Sequence, residues 1–70
     1  MKKEIIFNLK EVLEQKNKTR YWLAKETGVF YNTLDGYYKN SIRRYEADTI
    51  LKICLALDCE PGDLIKIVTE

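Results

Sequence analysis

Apolar positions recur along this chain in short runs of helical period. From Ile5 to about Gln15, the residues Ile5, Ile6, Leu9, Val12 and Leu13 fall at helical spacing, with Lys10, Glu11 and Glu14 outward. Lys16-Asn17-Lys18 breaks that pattern. Thr19 is an N-cap type for a short helix from Arg20 to Glu26, whose inward side is Leu23 and Ala24, with Trp22 near the edge. Gly28 is the left-handed residue that ends it, and Val29 is a buried turn position. A third helix is predicted from about Tyr31 to Tyr38, with Leu34 and either Tyr37 or Tyr38 inward. Asn40 to Tyr45 is polar and basic, a loop. A fourth amphipathic helix follows, with Ala47, Ile50, Leu51, Ile53, Cys54 and Leu57 apolar, and it ends near Asp58. Glu60-Pro61 starts a fifth, with Pro61 at its first position and Asp63 in its first turn. Leu64, Ile65, Ile67 and Val68 form its apolar side, fraying into an extended tail. Ile65 to Thr69 also suits a strand paired across a dimer, but the expectation is five short helices and no strand.

Seventy residues make one small domain, and no repeat, low-complexity tract or linker divides residues 1–70. A domain this small buries only about 60% of the surface of its unfolded chain, so the core is thin. The composition, 46% hydrophobic and 33% charged, is that of a folded soluble domain. No apolar stretch reaches the roughly 18 residues of a membrane span, and Met1 to Asn8 lacks the features of a signal peptide. The expected address is the cytoplasm, without membrane contact. Histidine is absent, which removes the commonest general base and metal ligand at neutral pH. Cys54 and Cys59 are the only cysteines, and no further pair or histidine completes a zinc site. Five apart on a continuing helix they point to different faces, so no disulfide is expected. An enzyme is not expected from this inventory, nor a metal, a cofactor or a small-molecule substrate.

The net charge of +1 rules out a histone-like polycation but hides an asymmetry. Residues 16–44 hold seven basic side chains against two acidic ones, and residues 45–70 hold two against six. Six of the eight aromatics (Tyr21, Trp22, Phe30, Tyr31, Tyr37 and Tyr38) fall in the basic stretch. A basic middle before an acidic end suits one face turned to a polyanion and another kept away from it.

The spacing of Leu23-Ala24, Gly28-Val29 and Thr33-Leu34 makes a corner. Ala24 lets two helices cross closely, Gly28 turns the chain between them, and Leu34 closes the angle from the second. A rigid corner that projects its second helix outward is what major-groove reading requires. The run Thr19-Arg20-Tyr21-Trp22-Leu23-Ala24-Lys25-Glu26-Thr27-Gly28-Val29, continued by Thr33-Leu34, resembles the Cro/cI-type (phage repressor, XRE-like) helix-turn-helix. Asp48-Thr49-Ile50-Leu51-Lys52-Ile53-Cys54-Leu55-Ala56-Leu57-Asp58-Cys59-Glu60-Pro61-Gly62-Asp63-Leu64 is similar to that family's last two helices. The likeness runs from about Leu9 to Ile65, with the helix-turn-helix at about residues 19–38. It implies an all-α, compact five-helix bundle that binds double-stranded DNA as a homodimer and regulates transcription, repressor-like. Leu23, Ala24, Val29, Leu34, Ile50, Ile53, Cys54 and Leu64 are expected in one core.

Carried over by this resemblance, Tyr31 and Asn32 open the recognition helix and reach base edges, Asn32 with the geometry for adenine N6 and N7. Asp35 joins them as an acceptor for cytosine N4. Thr19, Arg20 and Thr33 face phosphates, and Lys39, Arg43 and Arg44 track the backbone from the loop. Three residues depart from the family pattern. Phe30 stands where Ser or Thr normally caps the recognition helix and cannot accept the amide bonds. Asp35 puts negative charge on a helix meant for phosphates. Gly36 costs about 1 kcal/mol against Ala in a helix, and by this reading it permits close approach to the DNA backbone. The competing expectation is a helix-turn-helix domain turned to protein interaction, antitoxin-like or as a regulatory partner, with the aromatic cluster as its contact surface.

Overall fold

The computed structural model describes residues 2–69. The chain runs β1 (Lys3–Phe7), α1 (Leu9–Lys16), α2 (Arg20–Thr27), α3 (Tyr31–Lys39), α4 (Ala47–Leu57), α5 (Pro61–Leu64) and β2 (Ile65–Thr69). The helical helix-turn-helix architecture is as expected, with five helices. The fold is not strictly all-α, because β1 and β2 pair as a two-stranded antiparallel sheet.

The two segments that differ from the helical expectation are the two strands of that sheet. Ile5 and Ile6, expected in the first helix, lie in β1, and the helix begins at Leu9. Ile65, Ile67 and Val68, expected in the fifth helix, lie in β2, and that helix is a single turn ending at Leu64. Each segment concentrates β-branched side chains, which lose rotamer freedom in a helix and pack well on a pleated surface. The register sets Phe7 against Ile65, Ile5 against Ile67 and Lys3 against Thr69. The strand pairs within one chain, so the alternative of pairing across a dimer is not what forms it.

One core joins the helices to the sheet. Phe7, Leu9, Val12, Leu13, Leu23, Leu34, Tyr37, Ile53, Cys54, Leu57 and Leu64 are buried together. Of the residues expected there, Leu23, Leu34, Ile53, Cys54 and Leu64 are buried, and Ala24, Val29 and Ile50 pack part-buried against them. Phe7 meets Tyr37 edge-on at 4.9 Å between centroids, and Tyr45 lies 5.5 Å from Phe7 and 5.8 Å from Tyr37.

Asn40 anchors β1 to this core. Its Nδ2 donates to the Phe7 carbonyl at 3.1 Å and its Oδ1 accepts from the Phe7 amide at 2.6 Å. The carboxamide thus acts as one residue of a neighbouring strand, on a backbone at φ 59°. Helices α1 to α4 all end on a left-handed residue: Asn17, Gly28, Asn40 and Asp58. Asn and Asp adopt that conformation more readily than other side chains. The turn at Asp58 ends the helix on which the two cysteines were expected at different faces. The chain reverses there, the Cys59 amide bonds the Cys54 carbonyl at 3.1 Å, and both cysteines are free, Cys54 buried and Cys59 half-buried. Burial pushes the Cys54 thiol up and the Cys59 thiol up to about 11.

Candidate nucleic-acid interface

The corner between α2 and α3 is fixed by local hydrogen bonds. Thr19 Oγ1 accepts from the Trp22 amide at 3.1 Å and caps α2, so this side chain has a structural duty. At the other end, Thr27 Oγ1 donates to the Leu23 carbonyl at 2.7 Å and accepts from the Val29 amide at 3.1 Å. Gly28 takes φ 74°, and its amide bonds the Ala24 carbonyl at 2.9 Å. Helix α3 then starts without a side-chain cap, as Phe30 demands. The Phe30 carbonyl accepts from the Thr33 and Leu34 amides at 3.0 and 3.2 Å.

Leu34 and Tyr37 face the core from α3, which leaves Asn32 and Lys39 exposed on the opposite side with Asp35 half-buried between them. Thr33 is also exposed, and Tyr31 is half-buried with its ring 4.8 Å from that of Tyr21 on α2. Tyr31, Asn32 and Thr33 therefore stand together at the start of α3, with Asp35 and Lys39 further along the same helix.

The charge on that surface is ordered around Asp35. Its Oδ1 is paired with Arg20 Nη1, and its Oδ2 lies 3.1 Å from Lys39 Nζ, one turn further along α3. The Arg20 guanidinium sits 4.0 Å from the Tyr38 ring centroid and 5.6 Å from that of Tyr31. The Lys39 hydrogen bond and the nearby cations hold the Asp35 carboxyl below its ordinary value, against a smaller opposing effect of burial. Asp35 thus brings no net negative charge to the surface, since two cations share it. Tyr38 was missed in the sequence because its role depends on a contact with Arg20 from another helix.

Arg43 and Arg44, read as a pair, line different clefts. Arg44 shares one of about 340 Å³ with Phe30, Thr33 and Lys52. Arg43 borders another, of about 690 Å³, with Glu4, Ser41 and Tyr45. Gly36 has a role inside the molecule. A Cβ there would sit 2.8 Å from Ile42 Cγ2, so the vacant side of the glycine is filled by the loop after α3 and is not open to DNA.

Residues 8–70 match the family pattern of the Cro/C1-type HTH DNA-binding domain. The chain belongs to the Cro/C1-type HTH family. The corner at Gly28 and the exposed start of α3 are thus this family's helix-turn-helix in this chain. No curated protein matches the sequence. Among solved structures, the Cro/C1-type chain is similar to a candidate DNA-binding protein from Bacteroides fragilis, with TM-score 0.78 and 28% identity over 90% of this chain and 100% of that one. It is also similar to the transcriptional regulator VanUg, with TM-score 0.77 and 25% identity over 100% of this chain and 92% of that one.

Proposed function

We propose that this chain is a sequence-specific transcriptional regulator, repressor-like, that binds double-stranded DNA as a homodimer with the start of α3 in the major groove. The observation that carries the reading is one rigid corner presenting exposed Asn32 and Thr33, with Arg44 in a cleft shared with Thr33 and Lys39 exposed at the end of the same helix. In this reading Asn32 bonds adenine N6 and N7, with Tyr31 and Asp35 as further base contacts. Thr19, Arg20, Thr33, Lys39, Arg43 and Arg44 meet phosphates and set the register. Arg20 acts from the pose in which Asp35 and Tyr38 already hold it.

The rest of the surface supports association. Leu51 and Leu55 on α4 and Ile67 on β2 are large, apolar and exposed, and a groove of about 520 Å³ runs between α4 and Ile65. None of the residues lining that groove belongs to α2 or α3. A symmetric pair therefore keeps both recognition helices free. The activity is binding and not catalysis: the chain has no histidine, and both thiols are pushed away from the reactive thiolate form. No helix among the described residues is long and apolar enough to cross a membrane. The cytoplasm, where the DNA is, completes the reading.

Selection of bound duplexes from a random library tests it. The expected result is a two-fold-symmetric consensus with half-sites about 10 bp apart. An unpaired half-site would remove the dimer. No enrichment over the input would overturn DNA reading and favour the protein-interaction alternative.

A further inference from the structure

We propose that Phe30 reads the 5-methyl group of a thymine, as an apolar contact at the entrance of the recognition helix. The proposal rests on the DNA-binding reading above and adds a specificity residue to it. Phe30 is 84% exposed, more than any other large hydrophobic side chain among the described residues. It stands directly before α3, and its carbonyl is tied to the Thr33 and Leu34 amides, so the backbone that aims the ring is fixed. The folded chain gains little from it. The side chain cannot cap α3, and the ring pairs with no other aromatic among the described residues.

Its neighbours identify the partner chemistry. Phe30 lines one cleft with Thr33, Arg44, Glu46 and Lys52, the last paired with Asp48 one turn earlier on α4. The apolar ring thus stands among charged groups, with Arg44 as the cation on its side that has no ion-pair partner among the described residues. An apolar protein surface would have to bury these charged groups, whereas DNA leaves the rim hydrated and pairs Arg44 with a phosphate. In the major groove, the thymine methyl is the apolar group that a Phe recognises among base edges otherwise offering donors and acceptors. Asn32, two residues on, is exposed for a neighbouring base.

The test uses the duplex obtained by selection, with each thymine replaced in turn by deoxyuridine. This removes the methyl and keeps the hydrogen-bonding edges. One position per half-site is expected to weaken binding of the unchanged protein about fourfold, the equivalent of one lost apolar carbon. Phe30→Ala is expected to bind thymine and deoxyuridine duplexes equally at that position, with an unchanged salt dependence and melting temperature. Phe30→Leu keeps an apolar side chain and should retain part of the discrimination, so the test survives if the alanine variant binds too weakly to measure. Indifference of the unchanged protein to deoxyuridine everywhere, with DNA binding intact, would overturn this proposal alone. Undiminished discrimination in Phe30→Ala would do the same. If no duplex is bound at all, the underlying DNA reading fails and takes this one with it.

Discussion

Asn40 combines a left-handed backbone with a carboxamide that bonds both polar groups of Phe7, and two substitutions separate these effects. Asn40→Gly keeps the backbone conformation and loses both bonds, whereas Asn40→Ala loses the bonds and strains the turn. Chemical denaturation should show a loss of about 1–3 kcal/mol for glycine and a larger loss for alanine. Equal, small losses would mean that the clamp on β1 contributes nothing. Asp35 yields a prediction in pH. Its folded carboxyl lies below the ordinary value, so it stabilises the fold above the unfolded pKa of about 3.9. That contribution declines as pH falls through the folded value. Urea midpoints measured from pH 7 down to pH 2 should show a decline in the unchanged protein that Asp35→Asn lacks in part. Parallel curves would mean that the cations around Asp35 give no net stabilisation.

Helix α4 has no side-chain cap of its own, and its Glu46 amide instead donates to the Tyr37 hydroxyl at 3.0 Å. Tyr37→Phe keeps the ring against Phe7 and removes only that acceptor. It should cost about 0.5–1.5 kcal/mol and speed hydrogen exchange in the first turn of α4. Unchanged exchange there would place the cap elsewhere. In α2, Ala24 packs part-buried against the core, and Ala24→Leu should overpack the corner by about 1–3 kcal/mol in a thermal melt. A variant that melts like the parent would show room at the crossing. Helices α2 to α4 were legible in the sequence because their signals are local: Thr19 before Arg20, Gly28 after Thr27, and an apolar stripe in each. The hairpin was not, because Ile5 pairs with Ile67 from the far end of the chain and a short apolar run fits either period. The candidate site divides in the same way. The exposure of Asn32 and Thr33 follows from helical spacing about Leu34. The sharing of Asp35 between Arg20 and Lys39, and the filling of Gly36 by Ile42, depend on contacts between elements.

The basic stretch of the chain leaves Lys39, Arg43 and Arg44 exposed at the end of α3 and in the loop after it, with Arg44 in one cleft with Phe30 and Thr33 at the start of α3. In the proposed function this surface binds DNA through two kinds of contact. Phosphate contacts release counterions and therefore govern the salt dependence, whereas base contacts govern selectivity. The direct measurement is affinity for the selected duplex and a scrambled one over a range of salt, for the parent, Arg44→Ala and Asn32→Ala. Arg44→Ala should weaken both duplexes about equally and reduce the slope of log affinity against log salt by about 1. Asn32→Ala should cost about 1–3 kcal/mol on the selected duplex alone and leave the slope nearly unchanged. Parent-like binding by both variants at every salt concentration would place the interface away from Asn32 and Arg44 and overturn the proposed mode of binding.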